Sequence, residues 1–283
     1  MERHFYCYFL ALSLVHYCFI VTYTALKTTN IATDQSALLA LKAHITSDPY
    51  QFLSRNWSLN SATSSAVCDW IGVECGSKHQ RVTALNISSM SLTGTIPPQL
   101  GNLTFLVSLN IRNNYFHGNL PLELSHLRRL RFIRLSFNNF TGEIPMWFGC
   151  FPVLQFLALS HNNFSGLIPS SISQLSKLKH LNFDGIIPQE IGNLRSLKGF
   201  DIGNNHITGS IPKEIGNLTR LTILEFSENL LTASTTDDEA WTTLKMEFQG
   251  SSKVITVKLQ SFHRDFETLQ MKSGNRCKIS FQE

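Results

Sequence analysis

LQFLALSHNNFSGLIP, residues 154–169, carries the pattern that decides the fold of this chain. Spaced leucines are followed at fixed intervals by an asparagine, a phenylalanine, a glycine and a proline: Leu154, Leu157, Leu159, Asn162, Phe164, Gly166, Ile168 and Pro169. The same order recurs upstream, and intervals of 24 residues separate Gly94, Gly118, Gly142 and Gly166. A coil this short cannot bury its apolar face alone, so the period indicates a solenoid of stacked coils.

Each repeated position has a predicted structural role. The L-x-L segment predicts a short strand, and the strands of successive coils pair into a parallel sheet with their apolar residues inward. Asparagine amides at the turn can bind backbone groups that the turn leaves unpaired. These asparagines are Asn114, Asn138, Asn162, Asn205 and Asn229. Prolines end the next extended segment, because they have no amide proton for a ladder.

The motif and its period are the leucine-rich-repeat signature. We predict an α/β fold in which residues 81–234 form seven repeats, of which the fifth is shortened because Gly185 follows Gly166 by only 19 residues. A kink or a loosened joint is expected near Asp184. Residues 235–283 form a non-repeat tail that we expect to be poorly ordered or weakly packed over the last coil, although Val254 to Leu259 alternates like a strand.

The composition is ordinary for a folded protein, with 283 residues and 43% hydrophobic content. The net charge of +4 is too small to indicate a nucleic-acid partner. The basic residues are scattered apart from one short cluster, which contains Arg128, Arg129, Arg131 and Arg134.

An apolar run from Phe5 to about Val21 follows Arg3 and His4. This predicts a secretory signal peptide in residues 1–25, with a cleavage site as late as residue 32. A retained membrane anchor is the alternative, since the run is nearly long enough to span a bilayer. No second apolar stretch of that length follows, so we expect a soluble, secreted mature chain.

Residues 33–80 read as an N-terminal cap that covers the first coil of the solenoid. Asp34 to Pro49 has helical spacing of its apolar residues, with Asp34 or Thr33 as the cap and Pro49 as the end. Cys68 and Cys75 enclose six residues, a spacing that suits a disulfide in an oxidising compartment. A zinc site is disfavoured, because no second cysteine or histidine pair stands at ligand spacing. The state of Cys150 and Cys277 stays open.

The helix, the C-x-W-x-G-V-x-C block at residues 68–75 and the L-x-G-x-I-P repeats resemble the ectodomain of plant leucine-rich-repeat receptor-like serine/threonine kinases, including immune receptors. The resemblance covers about residues 34–231. It implies a curved right-handed solenoid with the sheet on its concave face and short helical or 3-10 turns on its convex face. It also implies an extracellular location in the apoplast, recognition of a peptide or protein elicitor, and pairing with a co-receptor. In a full-length receptor it implies a membrane span and a kinase.

No catalytic constellation appears, so we predict no enzyme activity and no cofactor or metal. Residues 254–258, VITVK, resemble the lysine strand of a kinase, and residues 263–265, HRD, resemble its catalytic loop. These motifs are separated by a whole lobe in a kinase but by five residues here, and no D-F-G or glycine-rich loop exists.

Six N-x-S/T sequons predict a secreted glycoprotein. Their asparagines are Asn56, Asn86, Asn102, Asn139, Asn163 and Asn217. The strand positions that alternate with the inward apolar residues point outward and define a candidate ligand surface on the third and fourth coils. Its members are Arg131, Phe132, Arg134, Phe137, Phe156 and His161. Exposed aromatic groups beside arginines are typical of interface hot spots, and the alternative is that the phenylalanines only pack against each other across strands.

Three hypotheses about function follow. The first is an extracellular binding module, a receptor-like ectodomain without catalysis, acting in plant defence or signalling. The second is an inhibitor of a secreted microbial glycosidase, as in the similar polygalacturonase-inhibiting proteins. The third is a nonfunctional fragment of a receptor gene. The short fifth coil and the tail favour this hypothesis.

Overall fold

The computed structural model describes residues 30–58, 67–166, 168–183, 187–201, 208–209, 212–225, 230–231, 256–258 and 278–280. The predicted signal peptide, the expected joint near Asp184 and most of the tail lie outside these ranges. Of the helices within them, none has both the length and the hydropathy that a membrane crossing requires.

The first helix, α1 (Ile31–Ala43), begins earlier than the sequence predicts. Its N-cap is Asn30, whose side chain accepts a hydrogen bond of 3.0 Å from the backbone N–H of Thr33. The Thr33 hydroxyl in turn receives the N–H of Asn30, which completes a capping box. The prediction that Asp34 or Thr33 begins the helix is therefore wrong.

The helix also ends earlier than predicted. It ends at Ala43, and the following residues form strand β1 (Ile45–Ser47), so the helical interpretation up to Pro49 is wrong. A second short helix, α2 (Phe52–Asn56), follows. The Asp48 carboxylate accepts hydrogen bonds from the first backbone N–H groups of α2 at 2.9–3.0 Å, which explains why the chain folds into a new helix there.

Asp34 instead joins the cap to the solenoid. Its carboxylate accepts hydrogen bonds of 2.8 and 2.6 Å from Nε and Nη2 of Arg81, and one of 2.9 Å from the backbone N–H of Val82. Both charged side chains are buried. A buried ion pair is tolerated when such hydrogen bonds satisfy it, so this contact fixes α1 against the first strand of the repeats.

The cap also contains a disulfide and two packed tryptophans. The sulfurs of Cys68 and Cys75 are bonded to each other in the structure. The rings of Trp57 and Trp70 stack with centroids 5.5 Å apart, and Nε1 of Trp57 donates to the carbonyl of Ile71 at 3.0 Å. Cys150, in the solenoid, is disulfide-bonded as well.

The concave sheet has ten strands among the described residues. In spatial order they are β2 (Val73–Cys75), β3 (Val82–Asn86), β5 (Ser108–Asn110), β7 (Phe132–Arg134), β9 (Phe156–Ala158), β11 (His180–Asn182), β12 (Gly199–Asp201), β14 (Ile223–Glu225), β16 (Thr256–Lys258) and β17 (Lys278–Ser280). All neighbours are parallel except β2 and β3. The L-x-L segments of all seven coils thus form the predicted strands.

The tail adds two strands to this sheet that the repeat pattern did not predict. β16 pairs with β14, and β17 pairs with β16. Within the stretch Val254 to Leu259, whose alternation predicts a strand, residues Thr256–Lys258 form one, so Lys258 of the kinase-like segment belongs to the solenoid sheet.

A second, outer sheet was not predicted. Its strands in spatial order are β1, β4 (Thr93–Gly94), β6 (Tyr115–Gly118), β8 (Asn139–Glu143) and β10 (Asn163–Ser165). It forms from the N-x-F-x-G segments, and a separate pair, β13 (Thr208–Gly209) with β15 (Leu230–Leu231), occupies the same place in later coils. The prolines that follow these segments each begin a 3-10 helix, as at Pro121 before Leu122–His126.

The buried asparagines have the role that the sequence predicts. The Oδ1 atom of Asn138 accepts the N–H of Phe116 at 3.0 Å. Its Nδ2 atom donates to the carbonyls of Ile111 and Leu135, both at 3.0 Å. Asn114 and Asn162 make equivalent bonds one coil away on either side. Each amide therefore links a concave strand to an outer strand and one coil to the previous one.

Candidate ligand-binding surface

The register of the concave sheet places outward side chains in rows across the coils. Phe132 in β7 lies opposite Phe156 in β9, as the alternation predicts, and Phe156 lies opposite His180 in β11. The next rung brings Gly199 of β12 opposite His180. Because parallel strands are about 4.8 Å apart, these residues form one continuous strip.

Arg134 joins the aromatic residues of this strip. Its guanidinium carbon lies 4.7 Å from the ring centroid of Phe156 and 5.4 Å from that of Phe132. Such cation–π contacts hold the guanidinium over the rings and leave its N–H donors available at the surface.

A cleft of about 320 Å³ lies beside Arg134. It extends from the second coil to the seventh, and its polar or aromatic lining includes Arg112, Arg134, Phe156, His180, Asn182 and Asp201. A β-carbon at Gly199 would lie 2.4 Å from Nδ1 of His180, so the missing side chain makes room for the His180 ring in the floor of the cleft. The cleft has arginines at one end and a carboxylate toward the other.

Phe137, which also lines this cleft, stacks on His161. Their ring centroids are 4.1 Å apart at an interplanar angle of 18°, and the guanidinium of Arg112 lies 4.9 Å from the Phe137 centroid. Both residues have φ in the left-handed region, at 60° and 55°. Ser89 and Asn113 adopt the same conformation at equivalent positions, so it is a property of this turn rather than of the two aromatic residues.

Two polar atoms on this face are buried without a hydrogen-bond partner: Nδ1 of His161 and Oδ1 of Asn182. Burial lowers the pKa of His161; the carboxylate of Asp201 opposes this shift and the charge of Arg112 adds to it. Burial likewise lowers the pKa of His180, and Lys198 and Lys179 lower it further. Both shifts favour the neutral imidazole, and an unsatisfied buried polar atom is a place where a ligand gains a hydrogen bond at little cost.

Three members of the predicted surface, Arg134, Phe137 and Phe156, line the cleft. Ser136, Ala158 and Ser160, which alternation turns toward solvent, line it as well but have little exposed area. Arg131 is exposed and, like Phe132, does not line the cleft. Arg112 and Gly199 line it although no sequence signal was assigned to them. A comparison of the residues at one strand position in all coils, rather than of the residues along one coil, would have identified Arg112 and Gly199.

All six sequon asparagines are exposed. Asn102 and Asn217 are the last residues of two 3-10 helices, and Asn139 and Asn163 lie in the outer sheet. Asn86 ends the concave strand β3, and its Oδ1 atom accepts a hydrogen bond of 2.8 Å from the Ser88 hydroxyl.

In the described part of the chain, no three histidine, cysteine, aspartate or glutamate side chains come together as metal ligands.

A leucine-rich repeat region model matches residues 122–275, more than half of the chain. The chain belongs to the leucine-rich repeat family. A leucine-rich repeat N-terminal domain model matches residues 31–76, and a single-repeat model matches residues 81–103 and 105–127. The N-terminal match begins at the first residue of α1.

The chain is similar to plant receptor kinases over their leucine-rich-repeat part. It is 40% identical over 74 residues to the LRR receptor-like serine/threonine-protein kinase EFR of Arabidopsis thaliana, which is 26% of this chain and 7% of that protein. The chain therefore spans a small fraction of the length of this relative.

Solved structures of receptor ectodomains share the fold. The complex PEPR1–AtPEP1 has a TM-score of 0.66 at 30% identity, covering 81% of this chain and 32% of that one. The Arabidopsis receptor kinase HAESA, in complex with the peptide hormone IDA and the co-receptor SERK1, has a TM-score of 0.65 at 29% identity, covering 88% and 42%. These similarities confirm the leucine-rich-repeat solenoid and the resemblance to plant receptor ectodomains.

Proposed function

We propose that this chain is an extracellular binding module that captures a peptide or protein ligand in the cleft of its concave sheet, without catalysis. The observation that carries the proposal is the cleft beside Arg134, in which cationic, aromatic and unsatisfied polar groups converge. The receptor kinase HAESA, which has the same fold, is bound to the peptide hormone IDA, which supports a ligand of this class.

The cleft supports recognition of an extended segment. The strip from Arg134 to Asp201 crosses four strands, β7 to β12, or about 14 Å, which is the length of about four extended residues. Phe156 offers an apolar contact in the middle, and Asn182 offers an acceptor. The interaction therefore combines a desolvated aromatic anchor with directional hydrogen bonds.

The biological setting is part of the proposal. We place the protein in the apoplast, or at the plasma membrane within a full-length receptor, and its ligand among the elicitors of plant defence or signalling. A co-receptor partner is proposed because HAESA is described in complex with one.

Selection from a random peptide-display library on the immobilised full chain tests the proposal. Peptides should be recovered that lose roughly thirtyfold in affinity on the double variant Arg134→Ala with Phe156→Ala, because central interface contacts cost about 2 kcal/mol or more. The matched control, Arg55→Ala with Tyr115→Ala, removes an arginine and an aromatic ring that are both exposed away from the cleft.

Peptides that bind both double variants equally well would contradict the proposal. Circular dichroism must show that the cleft variant remains folded. Neither Arg134 nor Phe156 belongs to the buried core, so we expect its unfolding transition to stay close to that of the control.

A further inference from the structure

A row of cationic side chains follows the edge of the solenoid where the concave strands begin. We name it the basic rim; its members are Arg128, Arg129, Arg131, Lys177, Lys179, Arg195, Lys198 and Arg220. They are scattered in the sequence, but all occupy the same three positions of a coil: the two residues before its first leucine and the one after it. Stacking of the coils collects these residues along one side of the molecule.

Backbone hydrogen bonds show that the rim residues are in register. The N–H of Lys179 donates to the carbonyl of Gln155 at 2.8 Å, and Gln155 donates to Arg131 at 2.9 Å. On the other side, Lys198 donates to Lys179 at 2.7 Å and Thr222 donates to Lys198 at 2.7 Å. The rim positions therefore follow one another across five strands, from the third to the seventh coil, over about 19 Å, and the fourth coil places the uncharged Gln155 between Arg131 and Lys179.

The rim has no built-in counter-charge. None of its three positions holds an acidic residue in any of the seven coils. Within the described residues, the ion pair between Asp34 and Arg81 involves no member of the rim. Seven of its side chains are exposed, and the lysines at 179 and 198 are close enough to His180 to lower its pKa beyond the effect of burial.

Arg128 is the exception to this exposure. Its guanidinium is half-buried, its Nη1 atom is buried without a hydrogen-bond partner, and burial lowers its pKa. Burying a guanidinium donor that has no hydrogen-bond partner costs free energy, unless an anion accepts the hydrogen bond. It provides an anion-binding position that is independent of the exposed cations.

We propose that the basic rim binds a linear polysaccharide that carries a carboxylate on each sugar. A protein partner would require an apolar anchor, and the one aromatic ring at these positions, Phe105, is already covered by Arg129 at 4.0 Å. An extended row of exposed cations instead matches a linear anionic polymer. The disulfide of the cap places the chain with extracellular polymers rather than with nucleic acids.

Two of the proposed glycans would limit this surface. Asn102 and Asn217 occupy the same position of the second and seventh coils, two residues before the rim begins in each. Sugars attached there would stand at the two ends of the rim and leave the third to sixth coils open.

Measuring the binding of the full chain to polygalacturonate tests the proposal. The methyl-esterified polymer, which carries no charge, is the control. We expect binding to the acid form and none to the ester. The affinity should fall as salt rises, because condensed counterions are released on binding. Equal binding to both polymers would overturn the proposal, as would tighter binding to duplex DNA or to dextran sulfate.

A pair of variants localises the interaction. Lys179→Gln with Lys198→Gln should weaken binding by roughly tenfold or more, since each cation contributes separately near an anionic surface. Arg55→Gln with Lys78→Gln removes the same charge from exposed positions outside the rim and should leave the affinity within about twofold. Equal weakening by both pairs would show that net charge alone is responsible and would contradict a rim site.

Discussion

The concave sheet continues through the shortened fifth coil, whereas the described outer sheet has no strand there. β11 of the fifth coil pairs with β9 on one side and β12 on the other. The outer sheet ends at β10 in the fourth coil, and its place is taken up again only by β13 in the sixth. The five residues missing from the coil thus leave the register of the inner strand unshifted, and the residues that follow that strand, 184–186, lie outside the described ranges.

This difference shows that the two halves of a coil are specified separately. The L-x-L segment is held by its leucines and by a backbone ladder to both neighbours. The N-x-F-x-G segment depends on the asparagine and the phenylalanine, which the fifth coil lacks. The proposed ligand surface lies on the half whose strand pairing continues through the short coil.

The largest expected change in the free energy of unfolding comes from the row of phenylalanines in the outer half of the coils. Phe140 is fully buried and stacks between Phe116 and Phe164, with centroids 6.4 and 6.2 Å away. Phe140→Ala should lower the free energy of unfolding by about 4 kcal/mol.

Phe164 ends this row and is only half-buried, because the short coil beside it supplies no ring. We therefore expect Phe164→Ala to cost about half as much as Phe140→Ala in urea unfolding. Equal costs would show that the fifth coil covers this edge after all.

The asparagines that join the two halves give the next effect. Asn138→Ala would leave the N–H of Phe116 and the carbonyls of Ile111 and Leu135 unpaired. Since each buried unpaired group costs about 1 kcal/mol or more, a loss of about 3 kcal/mol is expected. The control Asn119→Ala removes an exposed amide and should stay within about 0.5 kcal/mol in the same denaturation experiment.

A smaller, pH-dependent effect should appear at the N-terminal edge of the outer sheet, where β1 leads into α2. Burial alone would raise the pKa of Asp48, but hydrogen bonds from Ser54, Phe52 and Leu53 outweigh it, and the pKa lies below 3.8. A folded-state pKa below the unfolded one stabilises the fold above pH 3.8, and this contribution is lost as the pH falls through the folded-state value.

Asp48→Asn should remove this part of the acid dependence and cost about 1 kcal/mol at pH 7, as for the loss of a helix cap. Thermal unfolding between pH 2 and pH 7 measures both quantities. An unchanged acid profile in the variant would assign the dependence to other carboxylates.

The sequence predicts those parts of the fold that depend on residues within a single coil. Asn138 and Phe140 have counterparts 24 residues away on either side, and the leucines recur in the other coils, so their roles follow from the period. Asp34 was misinterpreted as a helix cap because its partner, Arg81, lies 47 residues away, and no local pattern identifies a contact at that distance.

The cleft was predicted less completely, since it is formed between coils. Arg134 and Phe156 were found because each stands beside inward leucines in its own coil. Arg112 and Gly199 contribute through register with neighbouring strands, and the burial of Ser160 depends on the larger side chains around it. These features need the stacked structure, and no spacing within a single repeat reports them.

Hydrogen exchange of the full chain, with and without a peptide from the display selection, tests most directly whether the concave half is the recognition surface. We predict slower exchange in β9, β11 and β12 on binding, and no change in β6, β8 and β10 of the outer sheet. Slower exchange confined to the outer strands, or none in the concave strands that flank the cleft, would contradict this account.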